Sequence, residues 1–231
     1  MNTDQVVSTD LSFAGVERLP TLRNVKVIQH NCQHLKKKYG RMSQWKCDII
    51  LLQGVCLNGE GHAFWQESKR KFHWWHTAAP KKSTKYTGKE TGCSIGLRKT
   101  MFSKKVVKRI ELPPARVRGI GLHMIVKNKC FHLCLESLYF NNERNHHDKV
   151  VVRELADWQF KMSCRLPARA DKVGGMDGNC KVGVDLKKPI DWNYAVGSVG
   201  SEWDKNSRHT EIITKTWQDS YCYAASTFAE C

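Results

Sequence analysis

The sequence predicts an α+β protein, a sandwich of mixed sheets flanked by helices, and three observations carry that expectation. Short apolar runs of strand length occupy Asn24 to His30 and Asp48 to Gln53. Alternating segments suited to a hairpin occupy Ile120 to Val126 and Phe131 to Leu135. A helical stripe of Val151, Leu155, Trp158 and Met162 follows them. Elements of these kinds bury their apolar faces only by stacking in layers.

A tail is expected over residues 1–23 and one domain over 24–231. The first strand alternates around Val25 and Val27, whereas 48–53 is continuously apolar, as a strand covered on both faces should be. Between them Leu35, Tyr39, Met42 and Trp45 recur at helical spacing and predict a short helix. Phe64 to Phe72 reads as a second helix, and His73 to Ala79, Cys93 to Leu97 and Val106 to Leu112 as strands. The Lys, Ser, Thr and Gly run from Lys81 to Gly92 is a loop by composition. Asn128 and Lys129 turn the hairpin, and Asn145 caps the helix that ends before Pro167. A short strand around Val173 leads into the glycine-rich GGMDGN; a weaker helix over Thr210 to Asp219 and an extended piece over Cys222 to Phe228 follow.

Of 231 residues, 41% are hydrophobic and 26% charged, which excludes wholesale disorder. No apolar run approaches the roughly 20 residues of a membrane span, and MNTDQVVSTD lacks a secretory pattern. No membrane partner is expected, and the location expected is intracellular, nuclear or cytoplasmic. The ten cysteines are dispersed and read as mostly reduced and buried. Cys130, His132 and Cys134 would share one face of a strand, but no second ligand pair follows at zinc-finger spacing, so core packing is the expectation.

The net charge of +16 is unevenly placed: residues 1–120 hold 23 basic and 8 acidic residues, and 121–231 hold 15 and 14. Such a half-chain field attracts a polyanion, and the interleaved Trp45, Trp65, Trp74, Trp75 and Tyr86 could stack on bases. Lys81, Lys82, Lys85, Arg116 and Arg118 are the candidate backbone contacts. A solvated basic face is the plainer alternative.

Polar residues collect where strands should end: Asn31 after the first strand, Gln53 after the second, Tyr139 after Leu133 to Leu138, and Asp177 with Asn179 after Gly174 and Gly175. Carboxylates and amide oxygens gathered in this way can hold a phosphate and a hard cation such as Mg²⁺. Each alone has a plainer role, a hairpin turn for Asp177-Gly178 and a half-buried aromatic for Tyr139.

Taken in order, the strings VKVIQHNCQHL, CDIILLQGV, GCSIGLRK, LESLYFNNERNHHD, VGGMDGNCKVG and KTWQDSYCYAASTFAEC resemble the endonuclease/exonuclease/phosphatase superfamily. This is the fold of deoxyribonuclease I and the abasic-site endonucleases, and the likeness is strongest to the domains found in non-LTR retrotransposons. The resemblance covers residues 24–229. It implies a four-layer α/β/β/α sandwich and Mg²⁺-assisted hydrolysis of a phosphodiester, with DNA as partner. By position it implies that Asn31 orients phosphate or metal, Tyr139 hydrogen-bonds the scissile phosphate, Asp177 sits beside the attacking water and Asn179 positions phosphate.

Two departures qualify that implication. The family's metal-binding Glu follows the Gln of its second strand, where this chain has Gly54. Asp48 lies at the opposite strand end, roughly 17 to 20 Å away, while Glu60, in the next loop, could fold back. The family also continues through further strands to a final S-D-H, whereas the sequence here ends at Cys231, so the last strands are expected to be missing. A positioned acid or base contributes about 10² to 10⁴ in rate. The expectation is therefore an endonuclease-like domain of weak or no activity, with a non-catalytic basic nucleic-acid-binding module as the alternative and a phosphatase for inositol lipids or small molecules as a third.

Overall fold

In this computed structural model the structure describes residues 7–10, 25–32, 45–55, 71–77, 92–117, 119–140, 146–167, 169–177, 212, 215 and 216, with backbone alone at 7–10 and 146–149. The chain divides into two compact units, Met1–Tyr139 with Arg169–Asp177, and Phe140–Ala168 with Gly178–Cys231.

Among its described residues the first unit holds nine strands: β1 (Val7–Asp10), β2 (Lys26–Asn31), β3 (Ile49–Gln53), β4 (Phe72–His76), β5 (Ser94–Arg98), β6 (Val107–Glu111), β7 (Gly121–Lys127), β8 (His132–Tyr139) and β9 (Asp171–Asp177). They form a five-stranded sheet in the order β1-β2-β3-β5-β4 and a four-stranded sheet in the order β6-β7-β8-β9. Each sheet is mixed, because β2 pairs with β3 and β8 with β9 in parallel while the other neighbours are antiparallel.

Strand periodicity sets which side chains meet. Register pairs Gln29 with Leu51 and Asn31 with Gln53, and pairs Ser137 with Gly175 and Tyr139 with Asp177. The odd-numbered residues of β2, β3, β8 and β9 therefore face the opposite sheet. Here Val27, Ile49, Leu51, Ile95 and Leu97 meet Leu122, Met124, Val126, Leu133 and Leu135 in the buried layer. A separate cluster of Ile28, Cys32, Cys47, Ile50, Leu52, Val55 and Phe72, with Trp45 and Trp74 against it, lies on the other face of the first sheet. On that face Trp74 covers Gly96, its cross-strand partner; a Cβ there would lie 2.8 Å from the indole.

The hairpin forms as the alternation predicts, with Asn128 Oδ1 accepting from the backbone N–H groups of Cys130 and Phe131 at 2.7 and 2.9 Å. In the second unit, α1 (His146–Cys164) buries Val151, Val152, Leu155, Ala156, Trp158 and Met162 and exposes Arg153, Asp157 and Lys161. Bonds from Arg165 N to Met162 O and from Leu166 N to Ser163 O tighten its end before Pro167. Ile212, Lys215 and Thr216 are helical, within the predicted Thr210 to Asp219 helix. No helix among the described residues is long and apolar enough to cross a membrane.

Three expectations are revised. Val7–Asp10, placed in a tail, is an edge strand antiparallel to β2. Phe72, placed at the end of a helix, begins β4. The strand around Val173 does not stop before GGMDGN but runs to Asp177, because parallel pairing with β8 carries both glycines into the sheet. The Leu35 helix up to residue 44, the Phe64 helix up to residue 70 and the 222–228 segment lie outside the described residues.

Candidate functional site

The two parallel pairs end together. Asn31 and Gln53 are the last residues of β2 and β3, Tyr139 and Asp177 those of β8 and β9, and the Asn31 amide Nδ2 donates to Asp177 Oδ2 across the gap between the sheets. Beneath that bond runs a chain of polar groups that starts at half-buried Gln29 and ends in the buried layer. Gln29 Nε2 donates to Gln53 Oε1 at 2.8 Å and to the Met176 carbonyl at 3.1 Å; Gln53 Nε2 donates to Ser137 Oγ at 3.0 Å; Ser137 Oγ donates to the Leu52 carbonyl at 2.7 Å. Gln53 and Ser137 are fully buried, where an unmet amide or hydroxyl costs about 1–3 kcal/mol, so the chain fixes the rim.

Gly175 makes this closeness possible. A Cβ at that position would lie 2.7 Å from both Gln29 Cγ and Leu51 Cβ, well inside contact distance. No positive φ is involved; the requirement is space alone. Thr77 closes the neighbouring strands: its Oγ1 accepts from Cys93 N at 3.1 Å and donates to the Gly119 carbonyl, also at 3.1 Å. Nothing in the sequence singles out Thr77, because its two partners come from distant segments.

Gly54 follows Gln53 at φ 60°, in the left-handed region, and the turn delivers Val55 N to the Gly92 carbonyl at 3.1 Å. The position that would supply a carboxylate is thus both without a side chain and in a conformation unfavourable to one. Asp48 is occupied elsewhere. Its Oδ2 accepts from Lys26 N at 3.0 Å and its Oδ1 lies 3.1 Å from Arg98 Nε, at the strand end opposite the rim.

Electrostatically, burial pushes the Cys93 thiol up; the Ser137 hydroxyl opposes the rise and the Asp177 carboxylate adds to it. Burial likewise pushes Cys47 up to about 12. These are inert thiols rather than nucleophiles.

Asn31, Gln53, Gly54, Tyr139 and Asp177 thus lie on one rim, and Arg116 is exposed on the short 3-10 turn Ala115–Val117 that leads to Gly119. Asn179, Lys81, Lys82, Lys85, Arg118 and Glu60 lie outside the described residues. Mg²⁺ is normally held through one or two carboxylates plus waters and substrate phosphate. The described rim offers one carboxylate, Asp177, toward which Asn31 turns the donor end of its amide, and Gly54 offers none. That donor set does not make a Mg²⁺ centre of the family's kind.

Two facing mixed sheets with these strand ends are the endonuclease/exonuclease/phosphatase fold, an α+β sandwich. Solved structures share it: the abasic-site endonuclease LMAP from Leishmania major (TM-score 0.54, 12% identity, 82% of this chain and 65% of that one) and beta toxin from Staphylococcus aureus (0.50, 11%, 84% and 71%). The endonuclease domain of TRAS1, a telomere-specific non-LTR retrotransposon, also matches, with a TM-score of 0.46 and 14% identity over 84% of this chain and 69% of that one. No protein-family model and no curated protein matches the sequence. The chain spans just under two thirds of the length of the Leishmania enzyme.

Proposed function

We propose that the chain is an endonuclease-like domain of retroelement type that engages DNA through its basic half and hydrolyses phosphodiester bonds weakly or not at all. The observation that carries this is the rim itself: Asn31, Tyr139 and Asp177 are gathered on it, while Gly54 stands at φ 60° where a second carboxylate would be needed. On this reading the Tyr139 hydroxyl donates to a phosphate oxygen, Asp177 accepts from the attacking water, and Asn31 holds the carboxylate in place. The family implies Mg²⁺, whose charge a single carboxylate would hold loosely.

Exposed Lys99, Lys104, Lys105, Lys108 and Arg116 favour the second reading, a binding module without chemistry. Plasmid nicking in Mg²⁺ and DNA binding in EDTA at several salt concentrations separate the two. Weak nicking that Asp177→Asn reduces at least about 100-fold supports the endonuclease. Steeply salt-dependent binding with no nicking supports the module. Robust turnover, indifferent to Asp177→Asn, would exclude both.

A further inference from the structure

On the face of the second sheet turned away from the first, three metal-ligating side chains converge. Hairpin register places His123 directly across from Glu136, and Cys134 lies diagonally beside them on the same face. His123 Nδ1 is 3.1 Å from Glu136 Oε1 and 3.7 Å from Cys134 Sγ; His123 Nε2 is 3.6 Å from that sulfur. One ligand atom from each residue falls within 4.8 Å of the other two, and all three residues are buried, at 2%, 6% and 0% exposure for His123, Glu136 and Cys134.

The geometry points to a structural site for a zinc-class divalent cation held by His123, Cys134 and Glu136. At a tetrahedral zinc, bonds of about 2.3 Å to sulfur and about 2.0 Å to nitrogen or oxygen put S···N about 3.5 Å apart and N···O about 3.3 Å apart. The observed 3.7 and 3.1 Å from Nδ1 are within about 0.2 Å of these separations, but the sulfur is equally close to Nε2, off the Nδ1 lone-pair axis, so binding requires the imidazole to turn about its Cβ–Cγ bond and aim Nδ1 at the shared ion. Charge also balances: a thiolate and a carboxylate cancel a dication, with neutral imidazole completing the set and the Cys134 proton released to solvent. The soft sulfur donor selects zinc or cobalt over Mg²⁺. Glu136 can close the fourth position with its second oxygen, which faces Gly174 on β9, where the missing side chain leaves room. The site lies on the opposite face of the sheet from Tyr139 and does not depend on what the rim does.

Titration of the metal-stripped full chain with Co²⁺, followed by competition with Zn²⁺, tests this. Expected are a near-ultraviolet thiolate-to-cobalt band, intense visible bands of tetrahedral cobalt, and a raised melting temperature with Zn²⁺. Cys134→Ser, close to isosteric, should abolish the thiolate band and weaken Zn²⁺ binding at least about tenfold, with Glu136→Gln also weakening it. Cys130→Ser should leave the spectrum unchanged. A folded wild-type chain that gives no thiolate band, leaving a hydrogen-bonded His–Glu pair only, would overturn the site. So would a band that survives Cys134→Ser.

Discussion

The two parallel strand pairs reach the same rim with unlike chemistry. β2 and β3 finish in amides, Asn31 and Gln53, and the chain then turns through Gly54; β8 and β9 finish in a phenol and a carboxylate, Tyr139 and Asp177. Both pairs are locked by the same polar seam, so the scaffold of the rim is equally built on the two sides. What differs is the acid. Positioning and charge are separable properties of such a site, and the first pair keeps the former without the latter.

Breaking the seam should give the largest effect. Gly175→Ala forces a Cβ against Leu51 and Gln29 and should lower unfolding free energy by about 3 kcal/mol, read from the urea midpoint at unchanged slope. A loss below about 1 kcal/mol would mean that the sheets part easily and that the rim is not held as described. Replacing Gln53 with Met keeps volume but removes the donor to Ser137 and the acceptor for Gln29, with an expected loss of about 2 kcal/mol.

Cys93 lies between the two pairs and gives a pH test. Its thiol stays protonated in the fold, whereas above about pH 9 the unfolded thiol ionises and binds fewer protons, so stability falls as pH rises. Cys93 should contribute about 1.4 kcal/mol per pH unit to the slope, beside a like contribution from Cys47, and Cys93→Ala should remove its share even though the substitution shifts the whole curve. Equal slopes in both proteins would show that Cys93 ionises in place.

Gly54→Glu sharpens the comparison most directly at the smallest structural cost, about 1 kcal/mol for a non-glycine residue at φ 60°. If the first pair lacks only charge, Mg²⁺-dependent nicking should rise at least about tenfold over Gly54→Ala, which carries the same strain. No gain, with both variants folded, would show that positioning was lost too.

The fold was legible because nearly every described strand carries its own period or apolar run. β3 is buried at all five positions, as a continuous run suggests, and the hairpin follows from alternation around Asn128. Asn31, Gln53 and Tyr139 could be placed because apolar runs stop at them. Asp177 was harder: two glycines argue locally for a loop, and only the approach of the facing sheet explains Gly175 within a strand. β1 has no pattern of its own and exists by pairing with β2. The His123, Cys134 and Glu136 cluster escaped a search by local spacing because its members come from two strands. Yet His123 interrupts one apolar run and Glu136, with Ser137, the other, and a turn at Asn128 sets 123 opposite 136; that arithmetic was available.

β1 bears on how the protein behaves in a test tube. Trimming the first 23 residues as dispensable would strip the outer partner from β2 and leave the backbone N–H and C=O groups of Lys26–Gln29 facing water in a row. An uncapped strand of this kind recruits another chain. Shortened versions should therefore self-associate and precipitate while retaining their β content, and residues Val7–Asp10 act as a guard against aggregation.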